Sequence, residues 1–225
     1  MKVALLEASH WHVPLYLEPL EAPGIEVVAV SDAEQVKGQA VAARFGSRLY
    51  QSSNELLERE KVDFAFAFGR HSEMPAIAEA LIARKIPFAL EKPCGVNMSQ
   101  VTRLRKLAEQ ANVYCAIPFI FRISDLLAAL KDAEGHIPSD FNYMSFRFIV
   151  GAPDRYEAAG AGWALDPAFS GGGSTINVAT HFIDLFRLLT GKEVARVSAI
   201  MHSRTHRRDV EDYSLVTMQT EDGVV

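Results

Sequence analysis

The chain has little cysteine: Cys94 and Cys115 are the only two in 225 residues, and they match no metal spacing and no disulfide framework. We read both as reduced thiols of a cytoplasmic protein and expect no metal site. Basic charge is not in excess either. With 23 Lys and Arg against 28 Asp and Glu, the formal charge is −5, which argues against nucleic acid, whose phosphates need a basic surface. The run from 202 to 208 is locally basic, and it reads as a solvated connection between strands rather than a phosphate-binding patch. Long apolar runs are missing as well. Residues 3–6 are too few for a signal peptide, and no stretch is long enough to span a bilayer, so no membrane partner is expected. No repeat or low-complexity tract appears. Apolar residues at 49% and charged residues at 23% give an ordinary globular balance.

The first half of the chain alternates short apolar runs with amphipathic segments, the pattern of a parallel sheet whose strands are separated by helices. Residues 2–6, 26–32, 63–67 and 87–90 read as strands, and 113–117 is counted as the sixth of a doubly wound sheet. Helices are predicted from about Trp11, over 34–45 with Gly46 as the stop, after the third run, and over 98–111. The pattern changes near residue 120. Met144, Phe146, Phe148 and Val150 alternate with Tyr143, Ser145, Arg147 and Ile149, which predicts a half-buried antiparallel strand. A loop to Gly173, a helix to about Thr190 and strands near 195–201 and 213–220 follow. The fold class is therefore α/β, with a dinucleotide-type domain over 1–119 and an α+β domain over 120–225. Asp222-Gly223 signals a hairpin turn, yet only Val224 and Val225 of the returning strand remain. We expect the natural protein to continue, or a partner to cover the open edge.

A dinucleotide-binding domain carries Gly-x-Gly-x-x-Gly at its first strand-to-helix turn, so that the backbone can approach a pyrophosphate. Here that turn is Glu7, Ala8, Ser9, His10, Trp11 and His12, without one glycine, and Glu7 brings negative charge toward the phosphates. Asp32 points the other way. It ends the second strand, where an acidic side chain accepts hydrogen bonds from ribose hydroxyls, although it is also a good helix cap. Ala33 beside it offers no cation to a 2′-phosphate. The expected cofactor is NAD, with NADP the alternative.

At Glu91-Lys92-Pro93, and over essentially all 225 residues, the sequence resembles the glucose–fructose oxidoreductase and inositol dehydrogenase family (Gfo/Idh/MocA). Phe68 and His71 stand in the family's strand-end loop beside the nicotinamide. Arg122 stands in the segment that leaves the sixth strand. Trp163, Asp166-Pro167 and Gly171-Gly172-Gly173 resemble the family's Trp…Asp-Pro…Gly-Gly-Gly loop, and the helix with His181, Asp184 and Gly191 resembles its interdomain helix. The resemblance implies a Rossmann-type domain that holds NAD(P), a second domain on a large open antiparallel sheet, and a sugar or polyol substrate between them. It also implies association through the open sheet into a homo-oligomer, and a cis peptide before Pro93.

Hydride transfer from an alcohol needs an oriented C–H bond and a group that takes the hydroxyl proton. Lys92 ends a central strand, where its ammonium is able to stabilise an alkoxide, or else to pair with Glu91. His181 is the general base that the resemblance implies, because an imidazole exchanges protons near neutral pH. Asn177 lies one turn before it, where the family usually has Asp, so a carboxylate is missing. Arg122 and Trp163 are further candidate substrate contacts. The glycine run at 171–173 reads either as an anion cradle or as a hinge. The expected function is an NAD(P)-dependent oxidoreductase acting on a sugar- or cyclitol-like alcohol. The alternative is a family member without turnover that binds or regulates, with Glu7 and Asn177 as its support.

Overall fold

The computed structural model describes residues 1–132, 135–137 and 141–225. Six parallel strands form the main sheet: β1 (Lys2–Leu6), β2 (Glu26–Ser31), β3 (Arg48–Tyr50), β4 (Phe64–Ala67), β5 (Phe88–Leu90) and β6 (Cys115–Ala116). Their order is β3-β2-β1-β4-β5-β6, so the winding reverses between β1 and β4. A crevice opens beyond the carboxyl ends of the strands at such a reversal, and it is where ligands bind in open α/β sheets.

β1 is apolar from Val3 to Leu6 because both of its faces are covered there. Val3 and Leu5 pack into one core cluster with Val27, Val30, Ala42 and Phe68. Ala4 and Leu6 pack into another with Ala65, Ala67, Leu81 and Leu90. The helices are α1 (Pro14–Leu17), α2 (Gln35–Phe45), α3 (Ser53–Arg59), α4 (Met74–Ala83) and α5 (Met98–Ala111). Gly46, at φ +62°, ends α2, and the Asn97 side chain caps α5 by accepting from Gln100 N–H. The sequence located five of the six strands. β3 has three residues, of which Arg48 is exposed and Leu49 half-buried, too short a run to show an apolar period.

Beyond β6 come α6 (Asp125–Leu130), α7 (Asp154–Ala158), α8 (Pro167–Ser170), α9 (Thr180–Thr190) and the antiparallel pair β7 (Val194–His202) and β8 (Tyr213–Thr220). One π-helical turn, Thr175–Ala179, leads into α9. The strand expected over 143–150 is not formed. Its faces do alternate: Met144 and Phe146 are half-buried in the third core cluster, while Tyr143 and Ile149 are exposed. Only its start has a strand-like partner, since Met144 N–H donates to Val225 O and Val225 N–H to Asn142 O. Packing came instead from aromatic contact with α9: Phe148 stacks on Phe182 at 4.7 Å. The turn expected at Asp222-Gly223 is present, with Gly223 at φ +97° and Thr220 N–H bonded to Val224 O.

Candidate active site

The first turn departs from a glycine cradle in detail. Glu7 takes the left-handed conformation, φ +59°, that a glycine would take at lower cost. Ala8 N–H donates to Ser31 O at 3.1 Å, Ser9 N–H to the Asp32 carboxylate, His10 N–H to Glu7 O at 3.4 Å, and His12 N–H to His10 Nδ1 at 3.2 Å. α1 has four residues and begins at Pro14, which has no N–H to give. The amides of Ala8, Ser9, His10 and His12, which such a turn usually offers to phosphates, are therefore bonded inside the protein. The Glu7 carboxyl is tucked against Ser53, which donates to it at 2.5 Å. Burial raises its pKa, the Ser53 bond opposes that, and Asp32 and Glu73 raise it further. Asp32 is 1% exposed, with its oxygens on the amides of Ser9 and Glu34, so it closes the turn before α2; the helix's N-cap is Glu34, and the cap expected from Asp32 is not formed. Phe68 and Ala8, both expected at the cofactor, lie in the core at 1% and 4% exposure.

β5 runs directly into Glu91 and Lys92, and the Lys92–Pro93 peptide is cis. The Glu91 carboxylate accepts from Tyr16 at 3.2 Å and from Lys92 N–H at 3.0 Å, and pairs with His12 Nδ1 at 3.3 Å. Burial works to raise its pKa, but the His12 hydrogen bond and the charges of His12 and Lys92 hold it below the ordinary value. The Lys92 ammonium turns away from Glu91. It donates to Asn177 O at 2.8 Å and to Asn177 Oδ1 at 2.9 Å, across to the π-helical turn. Burial lowers its pKa, partly offset by Glu91.

His181 follows Asn177 by one turn and lines the same cleft, with Lys92, Trp11, His12 and Tyr156. The cleft is open to solvent and holds about 780 Å³. Among the described residues, His181 Nδ1 is buried with no hydrogen-bond partner. Burial first, then the Lys92 charge, lowers its pKa to about 4. Near neutral pH the ring is therefore in its neutral form, the form in which an imidazole accepts a hydrogen bond or a proton.

Other expected contacts lie elsewhere. Arg122 makes a two-pronged pair with Asp184 at 2.8 and 2.7 Å, which ties the segment after β6 to α9 and engages two of its five N–H donors. Asp184 is held by this pair, and Arg187, one turn later on α9, bonds Glu193. Trp163 packs against Trp11 at 5.2 Å and edge-on to His71 at 5.0 Å, so it anchors the loop to the first turn. His71 Nδ1 meets Ser170 O at 2.8 Å, which leaves Nε2 as a buried, unpartnered acceptor. Its pKa is lowered to about 4, chiefly by burial, and that of His10, stacked on Trp11, to about 3 for the same reason. The glycine run does cradle an anion, but it is the protein's own. Glu211 accepts from Gly173 N–H at 2.6 Å and Thr175 N–H at 2.8 Å, and a Cβ on Gly173 would lie 2.2 Å from Glu211 O. Sequence reasoning missed Glu211 as a ligand, Tyr156, and the His12–Glu91 pair. Each joins residues far apart in the chain, and no local pattern announces such a contact.

Among the described residues no cluster of His, Cys, Asp and Glu is arranged to hold a metal, and no helix is long and apolar enough to cross a membrane. A doubly wound sheet with a crevice at its carboxyl edge, followed by a second α+β portion, is the architecture of the Rossmann-type dinucleotide-binding class. Residues 8–119 match the oxidoreductase family with an NAD-binding Rossmann fold, and residues 142–225 match the Gfo/Idh/MocA C-terminal domain. The chain belongs to the Gfo/Idh/MocA family, whose cofactor is NAD. It is 26% identical to the rhizopine catabolism protein MocA of Rhizobium meliloti over 176 residues, 77% of this chain and 52% of that protein. Against a myo-inositol dehydrogenase of Streptomyces leeuwenhoekii it is 23% identical over 211 residues, 90% of this chain and 61% of the other. The fold of the WlbA dehydrogenase from Bordetella pertussis, solved with NADH and UDP-GlcNAcA, matches all of this chain and 67% of that one, at TM-score 0.88 and 21% identity. The chain thus spans between half and two-thirds of the length of these relatives.

The donor set tests the cofactor in two halves. Around β5, an ammonium, a neutral imidazole and an open cleft suit a nicotinamide with an alcohol beside it. At the first turn, the bonded amides do not suit a pyrophosphate in the arrangement observed.

Proposed function

We propose that this protein is an NAD-dependent oxidoreductase acting on a secondary alcohol of a sugar or cyclitol. The observation that carries the reading is that Lys92, Asn177 and His181, from two separate parts of the chain, meet in one cleft at the carboxyl edge of the sheet. NAD, when bound, supplies the hydride acceptor. The chain does the rest. Two of the three Lys92 donors hold Asn177, and the third is free to meet the reacting oxygen and stabilise negative charge on it. His181, neutral, orients that hydroxyl as a hydrogen-bond acceptor. Relatives named for inositol and nucleotide-sugar chemistry support a polyol or sugar substrate. We place the nucleotide unit at 1–119 and the substrate unit at 120–225, and the exposed β7–β8 face, with Ile200, Tyr213 and Leu215, as the surface where copies associate in the cytoplasm.

A second reading, a family member that binds without turnover, has one observation in its favour: the bonded amides of the first turn. One experiment separates the two. NADH is titrated while the fluorescence of Trp11 and Trp163 is followed, and then NAD and a panel of polyols are added and absorbance read for NADH. The expected result is binding and turnover, with Lys92→Ala reducing kcat/KM by about 10²-fold or more. NADH binding without turnover on any polyol favours the second reading. No binding at millimolar NADH sinks the first.

A further inference from the structure

Tyr156 has no part in the scheme above, yet it lines the same cleft from α7. Hydrogen-bond bookkeeping gives it one. The Lys92 ammonium has donors only, so the side-chain atom of Asn177 that meets it at 2.9 Å is the carbonyl oxygen. The other arm of that amide is then the NH₂ group, and it donates to the Tyr156 hydroxyl oxygen at 2.8 Å. The Arg155 guanidinium, also a donor only, reaches the same oxygen at 2.9 Å. A phenol oxygen that accepts twice has only its own proton left to give, and no bond of that proton to a described residue is found. The ring is fixed from two sides, by Trp11 edge-on at 5.3 Å and by Arg155 over its face at 4.7 Å.

We propose that Tyr156 is the proton donor to the substrate carbonyl in the reducing direction, and the acceptor of the hydroxyl proton in the oxidising one. This rests on the oxidoreductase reading above. In reduction, Tyr156 gives its phenolic proton to the carbonyl oxygen as the carbonyl carbon receives hydride from NADH. The π pair of the C=O bond becomes the new O–H bond, and NAD⁺ and a phenolate remain. The phenolate is held by the Asn177 amide and the Arg155 guanidinium, and solvent returns its proton. Lys92 acts on it at one remove, through Asn177. The other charged or titratable groups that face this space are His12 and His181 in the cleft, and His71, His206, Arg208, Glu211 and Asp212 on the other side of Tyr156, where Arg208 is paired with Asp154 and Glu157. Asn177 acquires a purpose here that a carboxylate would not serve. Asp accepts only, so at 177 it would draw the phenolic proton away from the cleft.

The test compares the parent with Tyr156→Phe, which keeps the ring, and with Asn177→Asp. Tyr156→Phe is expected to lower kcat by about 10²-fold or more while KM for the polyol moves less than about threefold. Polyol binding without cofactor, read from Trp11 fluorescence, and NADH binding are expected to stay unchanged. Asn177→Asp is expected to be slower than the parent, although it restores the family's carboxylate. Parent-like kcat in Tyr156→Phe, or an Asn177→Asp variant faster than the parent, overturns the assignment and leaves the oxidoreductase reading standing. A parent that binds NADH but oxidises no polyol removes both.

Discussion

His181 stands one turn beyond Asn177, buried against a cleft that also holds the Lys92 ammonium, and both circumstances favour the neutral imidazole. Desolvation is the larger cause and the Lys92 charge the next. An NMR titration of the His181 ring is therefore expected to show a midpoint near 4, rising in Lys92→Met, which removes the second cause. Activity should follow. His181→Ala is expected to leave the pH profile flat or sloped as in the parent near neutrality, because no proton leaves that ring there. A midpoint at the ordinary 6.5 in the parent would show that neither burial nor Lys92 governs the ring. At this scale Lys92, Asn177 and His181 were named through the family resemblance; the strand end and the i, i+4 helix spacing alone only made their positions compatible with a site. The sequence did not name Tyr156, which lies in a stretch read as loop and is defined only by the amide of Asn177 and the fork of Arg155.

At the scale of elements, the first turn is where local rule and observed structure diverge most. A non-glycine residue in the left-handed region costs roughly 1–2 kcal/mol, and Glu7 adds a buried carboxyl beside Asp32 and Ser53. The absence of glycine was legible in the sequence. What was not legible is that the amides would close on Asp32 and Ser31, since this depends on the register of β1 against β2. Strands buried on both faces were read as continuous apolar runs, whereas β3 was too short to read and 143–150 kept its alternation without a partner along its length. Glu7→Gly frees the turn and removes the carboxyl. It is expected to tighten NADH by about tenfold, or 1.4 kcal/mol. The gain should grow as pH rises, because the raised pKa of Glu7 leaves more of it neutral at low pH. Weaker NADH binding in the fluorescence titration would show that Glu7 holds the turn in a binding shape rather than opposing the phosphates.

At the scale of the whole molecule, the buried imidazoles link the fold to pH. His10 and His71 are 5% and 1% exposed, and their pKa values fall to about 3 and about 4 from 6.5, with desolvation the first cause in each. A lowered folded pKa means that the unfolded chain takes up protons first. The stability these neutral rings contribute is complete above about 6.5, and it is lost as pH falls from there toward their folded values. Each ring contributes up to ~1.4 kcal/mol per pH unit within that window, so the pair gives a slope of about 2–3 kcal/mol per unit. Glu7 and Asp32 work the other way, since their raised pKa values favour proton uptake by the folded state, but they act nearer the carboxylate range. Between about pH 7 and about pH 5.5 the histidines therefore dominate, and Tm is expected to fall steadily on acidification. His71→Asn, which keeps a donor for Ser170 O without a titrating ring, should make that fall shallower. A Tm that stays level over this interval would mean that the rings take up protons within the fold. The packing of His10 and His71 around Trp11 and Trp163 would then be open to water, and the cleft would lack the dry wall that Lys92 and Tyr156 need.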